Sequence, residues 1–107
     1  MPNNLLDTEQ MQNAAAKACK LLKTLSNPDR LMILCSLTKG ERCVSELENQ
    51  LGIVQPTLSQ QLTVLREDGL VTTRRAGKHI YYQACSVQAT AVIEVLFLQF
   101  CQQGANT

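Results

Sequence analysis

The chain has no CxxC pair, a single histidine (His79), no glycine-rich phosphate loop and no apolar run approaching the length of a membrane span. Each absence closes a class. Without CxxC, and with an odd count of five cysteines (Cys19, Cys35, Cys43, Cys85, Cys101), neither a disulfide scaffold nor a thioredoxin-like centre is expected. With no histidine placed to activate a thiol and no phosphate-cradling loop, no enzyme chemistry is offered. The opening segment MPNNLLDTEQ has neither the basic nor the apolar part of a secretory signal. The expected compartment is therefore the cytoplasm, where thiols stay reduced. A net charge of only +1 excludes a polycation that holds nucleic acid by charge alone.

What is present is enough for one small domain. The chain has 107 residues, 45% of them hydrophobic, which supplies a core but a small one, and such domains commonly gain stability by dimerising. The expected domain runs over 8–102, with flexible tails at 1–7 and 103–107. Charge is mildly segregated. Residues 53–85 carry Arg66, Arg74, Arg75 and Lys78 against Glu67 and Asp68, whereas residues 41–52 carry Glu41, Glu46 and Glu48 against Arg42.

The most informative stretch is IVQPTLSQQLTVLREDGLV, residues 53–71. Leu58, Leu62 and Leu65 recur at the spacing that lines one face of a helix, while Gln55, Thr57, Ser59, Gln60 and Thr63 fall mainly off it. Gln61 lies closer to the leucine face. The exposed side is thus rich in amides and hydroxyls and nearly uncharged, which suits base edges and phosphate oxygens, although a polar surface helix without a partner has the same pattern. The preceding segment favours the first reading. Val44, Leu47 and Leu51 mark a short helix stopped by Gly52, and Pro56 suits the first turn of the next, which together make a helix-turn-helix. Two β-prone runs follow, Leu70 to Arg75 and His79 to Ala84, separated by Ala76-Gly77-Lys78, and read as a hairpin wing. Arg74, Arg75, Lys78 and His79 cluster at its tip as candidate phosphate or minor-groove contacts.

The flanking helices complete the pattern. From Thr8, a candidate cap, the residues Met11, Ala14, Ala15, Ala18, Leu21, Leu22 and Leu25 follow the helical period, and the small alanines suit close approach of another helix. Asn27 as cap, Pro28 in the first turn and Asp29 at the dipole start a second, largely buried helix. On position alone its Cys35 reads as a small core residue. Cys43 stands at the N-terminus of the third helix, where the dipole can raise thiol reactivity; Cys19 reads as incidental and Cys85 as structural. The last helix, about Ser86 to Gln102, is apolar nearly all round, and so small a chain cannot bury every side of it. Part of its surface is expected to meet a second subunit.

The stretches LLKTLSNPDRLMILCSL, VSELENQLGI, QPTLSQQLTVLREDGLV and RRAGKHIYY resemble the ArsR/SmtB family of dimeric winged-helix repressors. That resemblance implies a mainly α fold of five helices with a small β-hairpin between the fourth and fifth, a homodimer formed through the N- and C-terminal helices, and an operator duplex as partner. It implies no cofactor. The arsenic-sensing branch opens its third helix with CVC, where this chain has Cys43-Val44-Ser45. The zinc-sensing branch carries Asp and His ligands on its last helix, where this chain has no histidine. A metal or metalloid sensor using Cys43 with other thiols remains the alternative, short of the three or four ligands such a site wants. The chain is more similar to the BigR/SqrR/HlyU branch of reactive-sulfur sensors, whose two cysteines, in the second helix and near the end of the last, fall on Cys35 and Cys101. The resemblance thus implies a dithiol repressor induced by sulfane sulfur.

Overall fold

The computed structural model describes residues 7–102. In chain order they form α1 (Thr8–Leu25), α2 (Pro28–Leu37), β1 (Arg42–Cys43), α3 (Val44–Leu51), α4 (Thr57–Glu67), β2 (Val71–Ala76), β3 (His79–Ala84) and α5 (Val87–Phe97), the last running into a π-helical turn, Leu98–Gln102. Of the tails expected at 1–7 and 103–107, residues 1–6 and 103–107 lie outside the described residues.

The helix starts follow local chemistry. Asn27 Oδ1 accepts the Arg30 N–H at 3.0 Å and Pro28 occupies the first turn of α2, so two orphan-donor problems are met by two adjacent residues. The cap of α1 lies one residue earlier than expected. Asp7, not Thr8, accepts from Gln10 N at 2.7 Å while Gln10 Oε1 accepts from Asp7 N at 3.1 Å, a reciprocal capping box. Asp7 therefore belongs to the folded domain and not to the tail. α3 ends at Gly52, whose φ of 72° is the left-handed conformation that costs glycine no Cβ clash.

The sheet has three strands where the sequence suggested two. The wing strands pair antiparallel from Val71↔Ala84 to Ala76↔His79. Ala76 thus belongs to the ladder, and the loop is the two residues Gly77-Lys78, with Gly77 at φ 63°. The added strand, Arg42–Cys43, pairs with Tyr82 and Tyr81 and places β3 in the middle. Two residues carry no periodicity, so nothing in the sequence marked it.

The core lies around α2. Ile33, Leu34 and Leu37 meet Leu47 of α3, Leu58, Leu62 and Leu65 of α4, Val71 of β2, and Ala89 and Ile93 of α5, all buried. α1 is different: every residue from Thr8 to Lys20 is exposed, and only Thr24 and Leu25 are buried. The helix projects from the body, and the radius of gyration of 16.1 Å exceeds the roughly 13 Å of a compact chain of about 100 residues. On α5, Val87, Val95 (56% exposed) and, in the π turn, Phe100 (74%) face outward. The apolar faces of α1 and α5 are thus left uncovered by their own chain.

Candidate DNA interface and thiol site

Helix α4 separates its two faces as its sequence requires. Leu58, Leu62 and Leu65 are buried, Gln55, Ser59, Gln60 and Thr63 are exposed, and Thr57 is half-buried. The start of the helix needs a cap that Pro56 cannot give, since it has no side-chain acceptor. Gln55 supplies one: its Oε1 accepts from Ser59 N at 3.1 Å and from Ser59 Oγ at 2.7 Å. Thr63 Oγ1 donates to Ser59 O at 2.9 Å. The Gln60 side chain is exposed. Gln61 points elsewhere: its Oε1 accepts from Arg30 Nη1 at 2.9 Å.

Arg30 was not a candidate in the sequence, yet it fixes the placement of α4. Its Nε donates to Thr24 O at 2.7 Å and its Nη2 reaches Lys23 O at 3.5 Å, so one guanidinium ties the end of α1, the start of α2 and the middle of α4. Asp68, just past α4, accepts from Thr24 Oγ1 and makes a second tie to α1. The only signal available was Arg30 in the first turn of a helix that begins Asn-Pro-Asp.

On the wing, Arg75, Lys78 and His79 are exposed, with the His79 ring tilted toward Tyr81 at 6.2 Å between centroids. Arg74 differs from them. Its guanidinium lies 5.0 Å from the Tyr81 centroid and holds Glu41 through Nε–Oε2 and Nη2–Oε1 contacts of 2.8 Å each. Arg74 therefore stands on the wing as expected but already has an acidic partner. The Arg74 guanidinium holds the Glu41 carboxyl below its ordinary range, and Glu41 in turn raises Arg74.

All five cysteines are free thiols. Cys35 is half-buried on α2 and packs against the core. It also lines an open cleft, with Thr38 and Lys39 on one wall and Ile93, Glu94, Phe97 and Leu98 on the other. Lys39 Nζ sits 4.9 Å from the Phe97 ring centroid, joining the two walls by a cation–π contact. Cys101 is exposed in the π turn that begins at Leu98, so it lies on the turn next to this cleft. Cys43 is 6% exposed; its Sγ lies 3.3 Å from Ser45 Oγ, and its N–H donates to Glu46 Oε1 at 2.9 Å, which lowers the Glu46 carboxyl. Cys43 stands at the helix start, as its sequence position suggests, and is buried there. Cys85 is exposed, its Sγ 3.4 Å from Gly69 O, and Cys19 is exposed on α1. Among the described residues no three of His, Cys, Asp and Glu converge as a ligand set, and no helix is long and apolar enough to cross a membrane.

Two short helices joined through Gly52, the second with a polar reading face and followed by a basic hairpin, define a winged helix-turn-helix DNA-binding transcriptional regulator. Residues 27–73 match the family described as bacterial regulatory protein, arsR family. The Biofilm growth-associated repressor of Xylella fastidiosa (strain Temecula1) is 52% identical over 95 residues, 89% of this chain and 83% of that protein. The crystal structure of the transcriptional repressor BigR from Xylella fastidiosa superposes with a TM-score of 0.80 at 52% identity, covering 89% of this chain and 94% of that one. Reduced HlyU from Vibrio cholerae N16961 superposes at 0.83 with 42% identity, covering 88% and 99%. The chain belongs to the ArsR family, as a repressor-type transcriptional regulator similar to BigR and HlyU, and its relatives are regulators and not enzymes.

Proposed function

We propose that this protein is a cytoplasmic dithiol repressor: the reduced homodimer holds operator DNA, and joining Cys35 to Cys101 through sulfane-sulfur chemistry releases it. The observation that carries the reading is the cleft on which Cys35 opens, walled by α5 one turn before Cys101.

The chemistry balances without a metal. A cysteine thiolate attacks the sulfane sulfur of a persulfide RSSH, giving Cys–SSH and releasing RS⁻. The second thiolate attacks the inner sulfur, closing Cys–S–S–Cys and expelling HS⁻. The two thiols lose two electrons and the sulfane sulfur gains them. A direct disulfide needs Cα atoms within about 7 Å; if Cys–SS⁻ first takes a second sulfane sulfur from another RSSH, releasing RS⁻, attack of the other thiolate on the middle sulfur of Cys–SSSH closes Cys–S–S–S–Cys and expels HS⁻, a longer bridge that relaxes this limit and favours sulfane sulfur over peroxide. Against the metal reading, Cys43 is enclosed, and among the described residues no ligand set converges.

The exposed apolar faces of α1 and α5 supply the dimer contact, and a two-fold axis sets the α4 helices into major grooves about 34–36 Å apart. Gln55, Thr57, Ser59, Gln60 and Thr63 face the bases, and Arg75, Lys78 and His79, with Arg74 once released, face flanking phosphate. A bridge between α2 and the end of α5 joins the reading body to the dimer helix. A coupling of about 3 kcal/mol there changes affinity roughly 150-fold. Mass spectrometry of polysulfide-treated protein tests the chemistry: a Cys35–Cys101 cross-linked peptide carrying zero or more added sulfurs is expected, and two unlinked, separately modified cysteines contradict it.

A further inference from the structure

We propose that Gln55 and Ser59 act as one fixed unit that reads the major-groove edge of adenine, so that each operator half-site carries an A·T pair where the first turn of α4 enters the groove. The proposal rests on the operator-binding reading above and deepens it.

The hydrogen bonds at the start of α4 settle which groups remain free. The backbone N–H of Ser59 can only donate, so the Gln55 atom 3.1 Å from it has to be the amide oxygen. The Ser59 hydroxyl lies 2.7 Å from that same oxygen; two oxygens at this distance share a hydrogen, and the hydroxyl alone has one. Ser59 therefore spends its only donor on Gln55. What the pair turns to solvent is the two N–H groups of Gln55 Nε2 and, beside them, the remaining lone pairs of Ser59 Oγ. The unit presents a donor next to an acceptor.

That order is not freely reversed. Turning the Gln55 amide over would set its NH2 against the Ser59 N–H, lose the cap and leave that first-turn donor to water. Pro56, at the cap position, has no side-chain acceptor to take over. The need of the helix for a cap thus fixes the pattern that its reading face shows.

Among single bases only adenine complements it. Adenine offers N7 as acceptor beside N6–H2 as donor, whereas guanine offers two acceptors, N7 and O6. Thymine offers O4 with a methyl group, and cytosine the N4–H2 donor alone. Against guanine, the Ser59 lone pairs would face O6, two acceptors in opposition. The residues at the N-terminal end of a recognition helix are the ones that reach base edges, and Gln55 and Ser59 occupy that end.

The test is selection of half-sites from a randomised duplex pool by the full-length reduced protein, repeated with Gln55→Ala and Ser59→Ala. The expected result is an A·T pair at one position whose preference falls roughly tenfold or more in both variants. Because Gln55→Ala also removes a cap, a second measurement uses the wild-type protein: 7-deazaadenine at that position, which lacks the N7 acceptor, weakens binding by a similar factor. Loss of preference at a G·C pair, at two different positions for the two variants, or equal binding of 7-deazaadenine overturns the assignment. Failure of the wild-type protein to enrich any sequence overturns the operator-binding reading first, and this one with it.

Discussion

Arg74 reaches across the width of the sheet to Glu41. Arg74 pairs with Tyr81 and Tyr81 with Cys43, a row spanning all three strands, and the guanidinium lies over the Tyr81 ring before ending in the bidentate contact with Glu41. A carboxylate in this geometry occupies the donors that a DNA phosphate would use. Glu41→Gln is therefore expected to strengthen operator binding several-fold at low salt and to steepen the salt dependence by about one unit of log–log slope. Fluorescence anisotropy over a salt series reads both; unchanged affinity and slope show that Arg74 takes no part in binding.

The same pair has a pH signature. Glu41 and Glu46 are both held below the ordinary carboxylate value, by Arg74 and by the Cys43 N–H respectively. A depressed carboxylate favours the folded state above the unfolded pKa of about 4.3, and that contribution disappears as pH falls through the lower folded value. Both contacts are thus complete at neutral pH and lost only in acid. NMR titration of the two side-chain carboxyls is expected to give midpoints below that of a glutamate in a model peptide.

Arg30 is expected to matter for stability more than its sequence context suggests. Arg30→Ala removes the bonds to Thr24 O, Lys23 O and Gln61 Oε1, a loss of about 1.5–3 kcal/mol for charge-assisted contacts. Urea denaturation measures it. Operator affinity should fall as well, because the tie between α2 and α4 is cut, and an unchanged affinity would show that the leucine face alone holds α4.

Leu62→Ala, at a buried position on α4, is expected to cost about 2–5 kcal/mol, whereas Val54→Ser, at an exposed position in the turn before α4, stays within about 0.5 kcal/mol. Val95→Glu, on the uncovered face of α5, places a charge in the proposed subunit contact. Sedimentation should show it shifted toward monomer, with weaker operator binding and near-normal helix content by circular dichroism.

What the sequence disclosed was whatever rests on neighbours in the chain. Asn27-Pro28 marked a helix start, Gly52 a stop, Leu58, Leu62 and Leu65 a buried face, and Leu70 to Ala84 a hairpin, because capping, backbone freedom and periodicity are local. What it withheld depends on residues far apart. Glu41 and Arg74 meet over 33 positions, Arg30 and Gln61 over 31, and no local pattern marks either pair. The polar face of α4 was visible as a set, but not that Gln55 and Ser59 bond to each other, which follows only once the helix start at Thr57 is fixed. Likewise the helical position of Cys43 was legible, while its burial arises from β1 pairing with Tyr81, a strand of two residues.

The central claim, that Cys35 and Cys101 govern the hold on DNA, is tested most directly by operator binding of the reduced protein before and after polysulfide, in wild type, Cys35→Ser and Cys101→Ser. Release of the wild type on the order of a hundredfold, with both variants bound before and after treatment, is the expected result. Release of either serine variant by polysulfide, to the same extent as the wild type, contradicts the claim.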